Sequence, residues 1–348
     1  MATKPRKMID HAVELARRLP GSVRRGDRSS TQTPLPEPSQ EPSLPQLNIP
    51  PRRALPPDPE MVAVPDLVPG TTGLLVWPQT PPAGYLGQLE PAFQDRLAKM
   101  WERVSLQDCY FYHRVRLKDG RVIDGTWNLL DGEEEYLGSV PLAGRRVLEL
   151  GPATGWLTTW MEQQGAKVVG FDLGFDLAPD LIPLPGLDLD QTRRDQVAFL
   201  CRVQNAWWFL HREYGLSAQA VYGSIYDLPA DIGRFDVSIF GSILLHLRDP
   251  FLALYQAALR TDEAIVIVEP LVADKREVDQ PLSRWNPTRG ANPNGWWTFS
   301  PGLFTDMLAI LGFPDSTVTY HRQPFRPETN PTGSHFDAAQ YTVVARRV

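Results

Sequence analysis

The sequence predicts an α/β fold built on a mostly parallel sheet, and three observations carry this prediction. Runs rich in β-branched residues alternate with helical stretches in the second half of the chain, which is typical of parallel strands buried on both faces. The stretch LELGPATG (148–155) places two glycines between the first such strand and a helix. The last two strand-like runs follow each other without a helix, which predicts an antiparallel pair closing one edge.

The N-terminal segment, residues 1–73, differs from the rest in composition. Of the 34 prolines, 17 lie between Pro5 and Pro82. Residues 31–60 have almost no apolar periodicity, so burial cannot offset the entropy of ordering, and we predict an extended, disordered tether. The apolar residues between Met8 and Leu19 follow helical spacing. This short basic helix either docks on a partner or remains a solvated tail, since short isolated helices are marginal in water.

Residues 74–140 are predicted to form N-terminal cap elements of the globular part. FYHRVRLKDGRVIDGTW (111–127) alternates apolar and polar residues on both sides of Lys118–Gly120. This pattern predicts a β-hairpin.

Residues 141–348 are predicted to form the main domain, with strands and helices in alternation. A long amphipathic helix is expected over Gln191–Tyr214, with Trp207 and Trp208 packed in the core or an interface. The other expected strands and helices are, in chain order, 145–150 (strand), 155–165 (helix), 166–173, 218–223 and 235–241 (strands), 249–259 (helix), and 264–270, 316–323 and 340–348 (strands).

Composition and charge narrow the classes of partner. The net charge is −6, and residues 74–348 hold 25 Lys and Arg against 33 Asp and Glu. This balance disfavours a nucleic acid partner without excluding it, because the net charge does not reveal a local basic patch. The chain has two cysteines, and they are not spaced as metal ligands. They predict a reducing compartment and no bound metal. With neither a secretory signal nor an apolar run of membrane-spanning length, a cytoplasmic location is expected.

The glycine turn does not suit a pyrophosphate. A dinucleotide site requires G-x-G-x-x-G, but Ala153 and Trp156 occupy the second and third glycine positions here, and Pro152 lacks an amide donor. Asp172 ends the next strand, where a carboxylate can accept two hydrogen bonds from a ribose diol. Glu149 at the first strand tip adds negative potential. These features favour a cationic nucleoside ligand over a phosphate.

E-x-G-x-x-x-G followed by an acidic strand end resembles the first motifs of class I S-adenosylmethionine-dependent methyltransferases. VYGSIYDLP (221–229), FDVSIFGSILLHLRDP (235–250) and IVIVEPL (265–271) resemble the later motifs in the same order. The last two stretches resemble a branch that includes the wobble-uridine tRNA carboxymethyl-transferring enzymes and uncharacterised bacterial methyltransferases. The resemblance covers about residues 105–348 and implies a Rossmann-like fold with a seven-stranded sheet. It also implies S-adenosylmethionine as cofactor.

The resemblance also implies roles for particular residues around the cofactor. Gly151 and Gly155 would line the methionine moiety, and Asp172, with Leu173 beside it, would hold the ribose. Ser224 and Ile225 would flank the adenine, with Asp227 as an alternative contact. Gly241 and Ser242 would face the sulfonium and the acceptor.

Other residues are candidates for catalysis or acceptor binding. His246 is either a general base for a hydroxyl acceptor or a packing residue beside the cofactor. Glu269, at the end of the fifth strand, either positions substrate or caps the following turn. Trp285, Trp296 and Trp297 lie in the long loop 284–301 and either wall the acceptor site or pack against the sheet edge. His113 and Trp127 of the hairpin are expected to close the site from the N-terminal side.

The function predicted from these observations is direct methyl transfer to a small-molecule or glycan-type acceptor. A tRNA-modifying carboxymethyltransferase is an alternative, but it requires a cation for the carboxylate, and the sequence does not identify one. A non-catalytic scaffold with the same fold is a second alternative. A nicotinamide-dependent oxidoreductase is a third, and the missing glycines count against it.

Overall fold

The computed structural model describes residues 61–62, 87–174, 177–271, 277–286, 293–326 and 334–348. The short basic helix expected at Met8–Leu19 and nearly all of the proline-rich segment lie outside these residues, as does the beginning of the cap region. The strands are β1 (Met61–Val62), β2 (Val115–Arg116), β3 (Val122–Ile123), β4 (Arg146–Leu150), β5 (Lys167–Leu173), β6 (Gln219–Gly223), β7 (Phe235–Gly241), β8 (Thr261–Pro270), β9 (Ser283–Trp285), β10 (Trp297–Phe299), β11 (Asp315–Phe325) and β12 (Phe336–Arg346).

Of the six described helices, those at Trp156–Gln163, Leu189–Tyr214 and Pro250–Ala258 begin and end within two residues of the predicted bounds, and the sequence predicted no bounds for the other three. The six helices are α1 (Pro91–Met100), α2 (Glu133–Tyr136), α3 (Trp156–Gln163), α4 (Leu189–Tyr214), α5 (Pro250–Ala258) and α6 (Pro301–Ile310). The long helix α4 begins at Asp188, whose side chain accepts a hydrogen bond from the Gln191 amide, and ends at Gly215 in a left-handed conformation. None of the described helices is both long and apolar enough to cross a membrane.

A seven-stranded sheet in the order β11-β12-β8-β7-β4-β5-β6 forms the centre of the molecule. The five strands from β8 to β6 run parallel, while β12 pairs antiparallel with both β8 and β11. The predicted seven-stranded, mostly parallel sheet with an antiparallel edge pair is therefore confirmed. The strand order reverses direction at β4, whose neighbours are β5 and β7, and this reversal creates a crevice at the carboxyl ends of the strands.

Two small sheets stand beside the large one. β2 and β3 form the antiparallel hairpin predicted around Gly120. β9 and β10 form an antiparallel ribbon, with Trp297 opposite Trp285, inside the segment that the sequence predicts to be an irregular loop. Its short, Pro-, Gly- and Asn-interrupted sequence hides the strand signal, because three-residue strands leave too little alternation to detect.

Apolar clusters cover both faces of the large sheet. The N-terminal elements share the first cluster with α3 and α4, because Phe93, Leu97 and Trp101 pack into it. The Trp101 ring stacks on Trp208 with centroids 5.2 Å apart, and Trp208 donates its indole N–H to the hydroxyl of Tyr222. Trp207 and Trp208 were predicted to pack in the core or an interface, and both are buried in the core.

Candidate functional site

A cavity of about 390 Å³ opens at the carboxyl ends of the parallel strands, where the strand order reverses. Its volume falls within the range of sites that bind small molecules. Most of the residues singled out in the sequence line this single cavity. They are His113, Trp127, Gly151, Asp172, Leu173, Ser224, Ile225, Gly241, Ser242, His246, Glu269 and Trp297.

The two glycines of the turn after β4 have different surroundings. Gly151 lines the cavity with φ +72, and a Cβ atom there would lie 2.9 Å from the Ile243 side chain. Gly155 precedes α3 with φ +78, lies outside the cavity lining, and faces the indole of Trp207. Ala153 also has a positive φ of 48 and lines the cavity. The turn therefore presents Gly151 and Ala153 to a ligand, while Gly155 lets α3 approach α4.

Asp172 occupies the position predicted for a ribose-binding carboxylate. It ends β5 beside Leu173, whose amide donates to Asp172 Oδ1 at 2.7 Å. Burial raises the pKa of Asp172 to about 6, and hydrogen bonds from the Leu173 amide and the Gln204 side chain oppose this rise. The carboxyl group is therefore mostly ionised at pH 7 and can accept hydrogen bonds from a diol.

Glu149 lies behind the turn rather than in the cavity lining. Its carboxyl group accepts a hydrogen bond from the Thr158 hydroxyl, and Thr158 in turn accepts from the indole N–H of Trp207 at 3.1 Å. Burial raises the pKa of Glu149 to about 8, and the nearby charge of Asp172 adds to the rise. At pH 7 the carboxyl group is mostly protonated, so the negative charge at this edge comes from Asp172.

The loop after β6 borders the cavity with Ser224 and Ile225. The Ser224 hydroxyl accepts a weak hydrogen bond from the Tyr226 amide at 3.3 Å. Asp227, the alternative contact, is exposed to solvent and lies outside the cavity lining. Ile225 and Ser224 are thus the predicted adenine-side residues that the structure places at the cavity.

His246 is oriented by a single hydrogen bond to the main chain. Its Nδ1 lies 2.8 Å from the carbonyl oxygen of Asn294. Because a carbonyl oxygen can only accept, Nδ1 carries the proton and Nε2 keeps its lone pair. Burial lowers the pKa of His246, so the ring is neutral at pH 7. A neutral ring with a basic Nε2 has the state that a general base requires.

Glu269 lines the same cavity from the end of β8. Its carboxyl group accepts from the backbone amide of Leu245 at 3.2 Å, so it also holds the loop that carries His246. Burial raises the pKa of Glu269 to about 8. The group therefore carries a proton for most of the time at pH 7 and can donate as well as accept.

The three tryptophans of the 284–301 segment have different positions. Trp297 lines the cavity and donates its indole N–H to the Leu247 carbonyl at 3.0 Å. Trp296 is buried outside the lining and donates to the Asp180 carbonyl at 3.2 Å. Trp285 is 51% exposed, with its ring against the other two. Of the three, only Trp297 is placed to touch a ligand in the cavity.

Several residues that line the cavity are not predicted by the sequence. One face of α4 contributes four of them at helical spacing, namely Gln196, Phe199, Leu200 and Val203. The periodicity of α4 showed an apolar stripe, but a stripe facing a cavity has the same pattern as one facing the core. Asp180, Tyr226 and Arg248 were missed because their grouping depends on contacts between separate loops.

The lining fits the cationic nucleoside that the sequence predicts. A buried carboxylate stands at the end of β5, and Pro152 lacks the amide that a phosphate would need. Among the described residues that line the cavity, Arg248 is the single Lys or Arg, and its side chain is 68% exposed and 3.9 Å from Asp180. A diol and a positive charge are therefore better served here than a phosphate.

Comparisons with known proteins identify a family. Residues 128–314 match the family described as methyltransferase domain, and no curated protein matches the chain by sequence. Solved structures similar to this chain include the N-terminal domain of EvdMO1 with S-adenosylhomocysteine bound, at 16% identity over 73% of this chain and 95% of that chain, with a TM-score of 0.39. The 1,6-didemethyltoxoflavin-N1-methyltransferase of Burkholderia thailandensis shares 15% identity over 78% of this chain and 92% of that chain, with a TM-score of 0.40. The magnesium protoporphyrin IX methyltransferase of Synechocystis shares 15% identity over 62% of this chain and 76% of that chain, with a TM-score of 0.36.

The family match spans more than half of the chain and contains β4 to β8, the glycine turn, Asp172 and His246. The seven-stranded sheet is the one that the resemblance implied. The chain therefore belongs to the methyltransferase-domain family of class I S-adenosylmethionine-dependent enzymes.

Proposed function

We propose that this protein transfers a methyl group from S-adenosylmethionine to a small-molecule or glycan-type acceptor. The observation that carries the proposal is that Asp172, the Gly151 turn, His246 and Glu269 line one cavity of small-molecule size. The tRNA-modifying branch remains an alternative from the sequence. It needs a cation for the transferred carboxylate, and the described lining offers only the exposed, Asp180-paired Arg248.

The residues assigned to the cofactor come from the ends of four strands, β4 to β7. Asp172 would accept hydrogen bonds from the ribose hydroxyls, and Ser224 and Ile225 would border the adenine. The backbone around Gly151, Gly241 and Ser242 would surround the methionine part. When bound, S-adenosylmethionine supplies a methyl group on a positively charged sulfur, which leaves as a neutral thioether.

The protein's own contribution is to orient the acceptor, exclude water and take up a proton. Nε2 of His246 would accept the proton of an acceptor hydroxyl, because Nδ1 donates to the Asn294 carbonyl. Glu269 fixes the His246 loop through the Leu245 amide. Removing the His246 imidazole should therefore lower the rate of transfer more than the affinity for the cofactor.

Binding of S-adenosylhomocysteine, measured by calorimetry, tests the cofactor assignment. We expect Asp172→Asn to weaken binding about tenfold or more, since two charge-assisted hydrogen bonds become neutral ones. Binding to the wild-type protein should strengthen as the pH rises through about 6, because the carboxylate of Asp172 becomes the accepting form. Asp227→Asn, at the exposed position outside the cavity, is the matched control and should bind like the wild type.

The acceptor class is tested with cofactor labelled in the methyl group. Extracts separated into tRNA and small-molecule fractions should acquire label in the small molecules. Label in tRNA would contradict the acceptor proposal. Absence of S-adenosylhomocysteine binding to the wild-type protein would contradict the function as a whole.

A further inference from the structure

Six of the cavity residues, from β8, β10, the end of β11 and the hairpin segment beside it, form what we term the acceptor region: Tyr112, Trp127, Glu269, Trp297, Phe299 and Phe325. This region lies across the strand-order reversal from Asp172 and Ser224, the residues assigned to the ribose and adenine. Five of its six members are aromatic. The chemistry of this region sets the class of acceptor, provided that the proposed methyl transfer is correct.

The aromatic walls present ring surfaces rather than polar groups. The indole N–H of Trp127 donates to the Tyr112 hydroxyl at 3.1 Å, and that of Trp297 donates to the Leu247 carbonyl at 3.0 Å. Both indole donors are thus used within the protein. The Trp127 ring is fixed against Phe325 with centroids 4.4 Å apart. A ligand between these walls meets flat apolar surfaces, which favour another aromatic ring.

The described residues offer no cation to the acceptor region. Arg248, the one Lys or Arg among the described lining residues, extends into solvent with 68% of its side chain exposed and faces Asp180 at 3.9 Å. A carboxylate or phosphate on the acceptor would lose its hydration without gaining a cationic partner among these residues. Within the part of the chain that the structure describes, the acceptor region therefore disfavours anions.

Four polar residues of the lining are candidates to contact the acceptor. Glu269 is buried at the end of β8, and His246 presents Nε2 because Nδ1 donates to Asn294. Asn286 and Thr298, which also line the cavity, are joined by a hydrogen bond of 2.8 Å between Thr298 Oγ1 and Asn286 Oδ1. One or two hydroxyl groups are well served by this set, whereas the many hydroxyls of a sugar are not.

We propose that the acceptor is an uncharged aromatic compound that carries a hydroxyl group, bound with its ring between Trp127, Trp297 and Phe325 and its hydroxyl toward Glu269 and His246. This inference narrows the proposed function to a phenol-type acceptor. The proposal is tested on the protein saturated with S-adenosylhomocysteine. The measured quantity is the binding of the acceptor, not turnover.

Calorimetry compares three probes on this complex: 2-naphthol, 2-naphthoate and methyl β-D-glucopyranoside. We expect 2-naphthol to bind at least about tenfold more tightly than 2-naphthoate, since an unpaired charge costs more than 1.4 kcal/mol to bury. The glucoside should bind more weakly than 2-naphthol. Equal or tighter binding of the naphthoate or the glucoside, or no binding of 2-naphthol, would overturn the proposal. Failure of S-adenosylhomocysteine to bind would instead refute the underlying function.

Two tryptophan variants locate the ring-binding surface, and a third variant tests the preference for an uncharged acceptor. Trp297→Ala should weaken 2-naphthol binding about tenfold, because a stacking wall is lost. Trp285→Ala removes an exposed indole of the same cluster that lies outside the lining, and it should leave the affinity nearly unchanged. Thr298→Arg places a cation in the lining and should shift preference toward 2-naphthoate. Equal effects of the two tryptophan substitutions would assign the loss to the cluster's structure and overturn the ring assignment.

Discussion

Gly144 and Gly155 have the same backbone dihedral, φ +78, but different neighbours. A Cβ atom on Gly144 would meet nothing within 4 Å, whereas one on Gly155 would lie 2.5 Å from Cδ1 of Trp207. Trp207 is buried and its indole N–H is bound to Thr158, so the ring cannot move aside freely. The pair separates the cost of a left-handed backbone from the cost of a steric clash.

We expect Gly144→Ala to lower the free energy of unfolding by about 1 kcal/mol, the cost of the left-handed conformation alone. Gly155→Ala should lower it by about 3 kcal/mol, because overpacking adds to the same strain. Urea unfolding of the two variants measures the difference. Equal losses would mean that α4 yields to the added methyl group, and the close packing of α3 against α4 would then not depend on Gly155.

Individual site residues differed in how far the sequence could predict them. Asp172 and Gly151 follow from strand ends and a turn, which are local in sequence, and both line the cavity. Asp180 could not be predicted, because its role depends on Tyr226 and Arg248 from two other loops. The ionisation of Glu149 was equally hidden, since it depends on burial that no local pattern reveals.

At the scale of elements, the segment 177–187 forms part of the roof over the cavity. Leu177, Ala178, Pro179 and Asp180 line the cavity, and the Ile182 amide donates to the Pro293 carbonyl at 2.8 Å. The Asp180 carboxyl group accepts from the Tyr226 hydroxyl and, at 2.9 Å, from the Arg248 amide. These bonds tie the roof to the loops after β6 and β7.

Asp180→Ala should loosen this roof without unfolding the sheet. We expect S-adenosylhomocysteine to dissociate about tenfold faster, since two hydrogen bonds to a charged group are lost. Hydrogen exchange should increase at the amides of residues 177–187 and 244–248. Asp188→Ala, which removes only the cap of α4 at the far end of the same segment, is the control. Unchanged dissociation in Asp180→Ala would show that the roof is held by its other contacts.

The elements themselves were predicted more completely than the roof. The long strands of the large sheet and α4 have runs of five or more patterned residues, and the structure contains each of them. The β9–β10 ribbon was missed, because its two strands have three residues each and pair through Trp285 and Trp297 only in three dimensions. The face of α4 that borders the cavity was indistinguishable in sequence from a core face.

For the whole molecule, buried titratable groups make stability depend on pH in two opposing ways. Burial lowers the pKa of His113 and of His321 from 6.5 to about 4, so the unfolded chain binds more protons there between pH 4 and 6.5. Stability then rises with pH over that interval. Burial raises the pKa of Glu149 and of Glu269 from 4.5 to about 8, so the folded chain binds more protons between pH 4.5 and 8. The contribution of these two carboxyl groups to the free energy of unfolding therefore falls as the pH rises.

The two contributions oppose each other up to pH 6.5, and above it only the carboxyl groups continue to act. We therefore expect the free energy of unfolding to fall between pH 6.5 and 8, by on the order of 2 kcal/mol for each of Glu149 and Glu269. Glu149→Gln keeps an acceptor for Thr158 and cannot ionise, so it should remove about half of this decrease. Glu135→Gln, at an exposed position, should keep the wild-type slope. Urea unfolding at several pH values measures the slopes, and a free energy that is flat or rises from pH 6.5 to 8 would contradict the assignment of these two carboxyl groups as neutral in the folded protein.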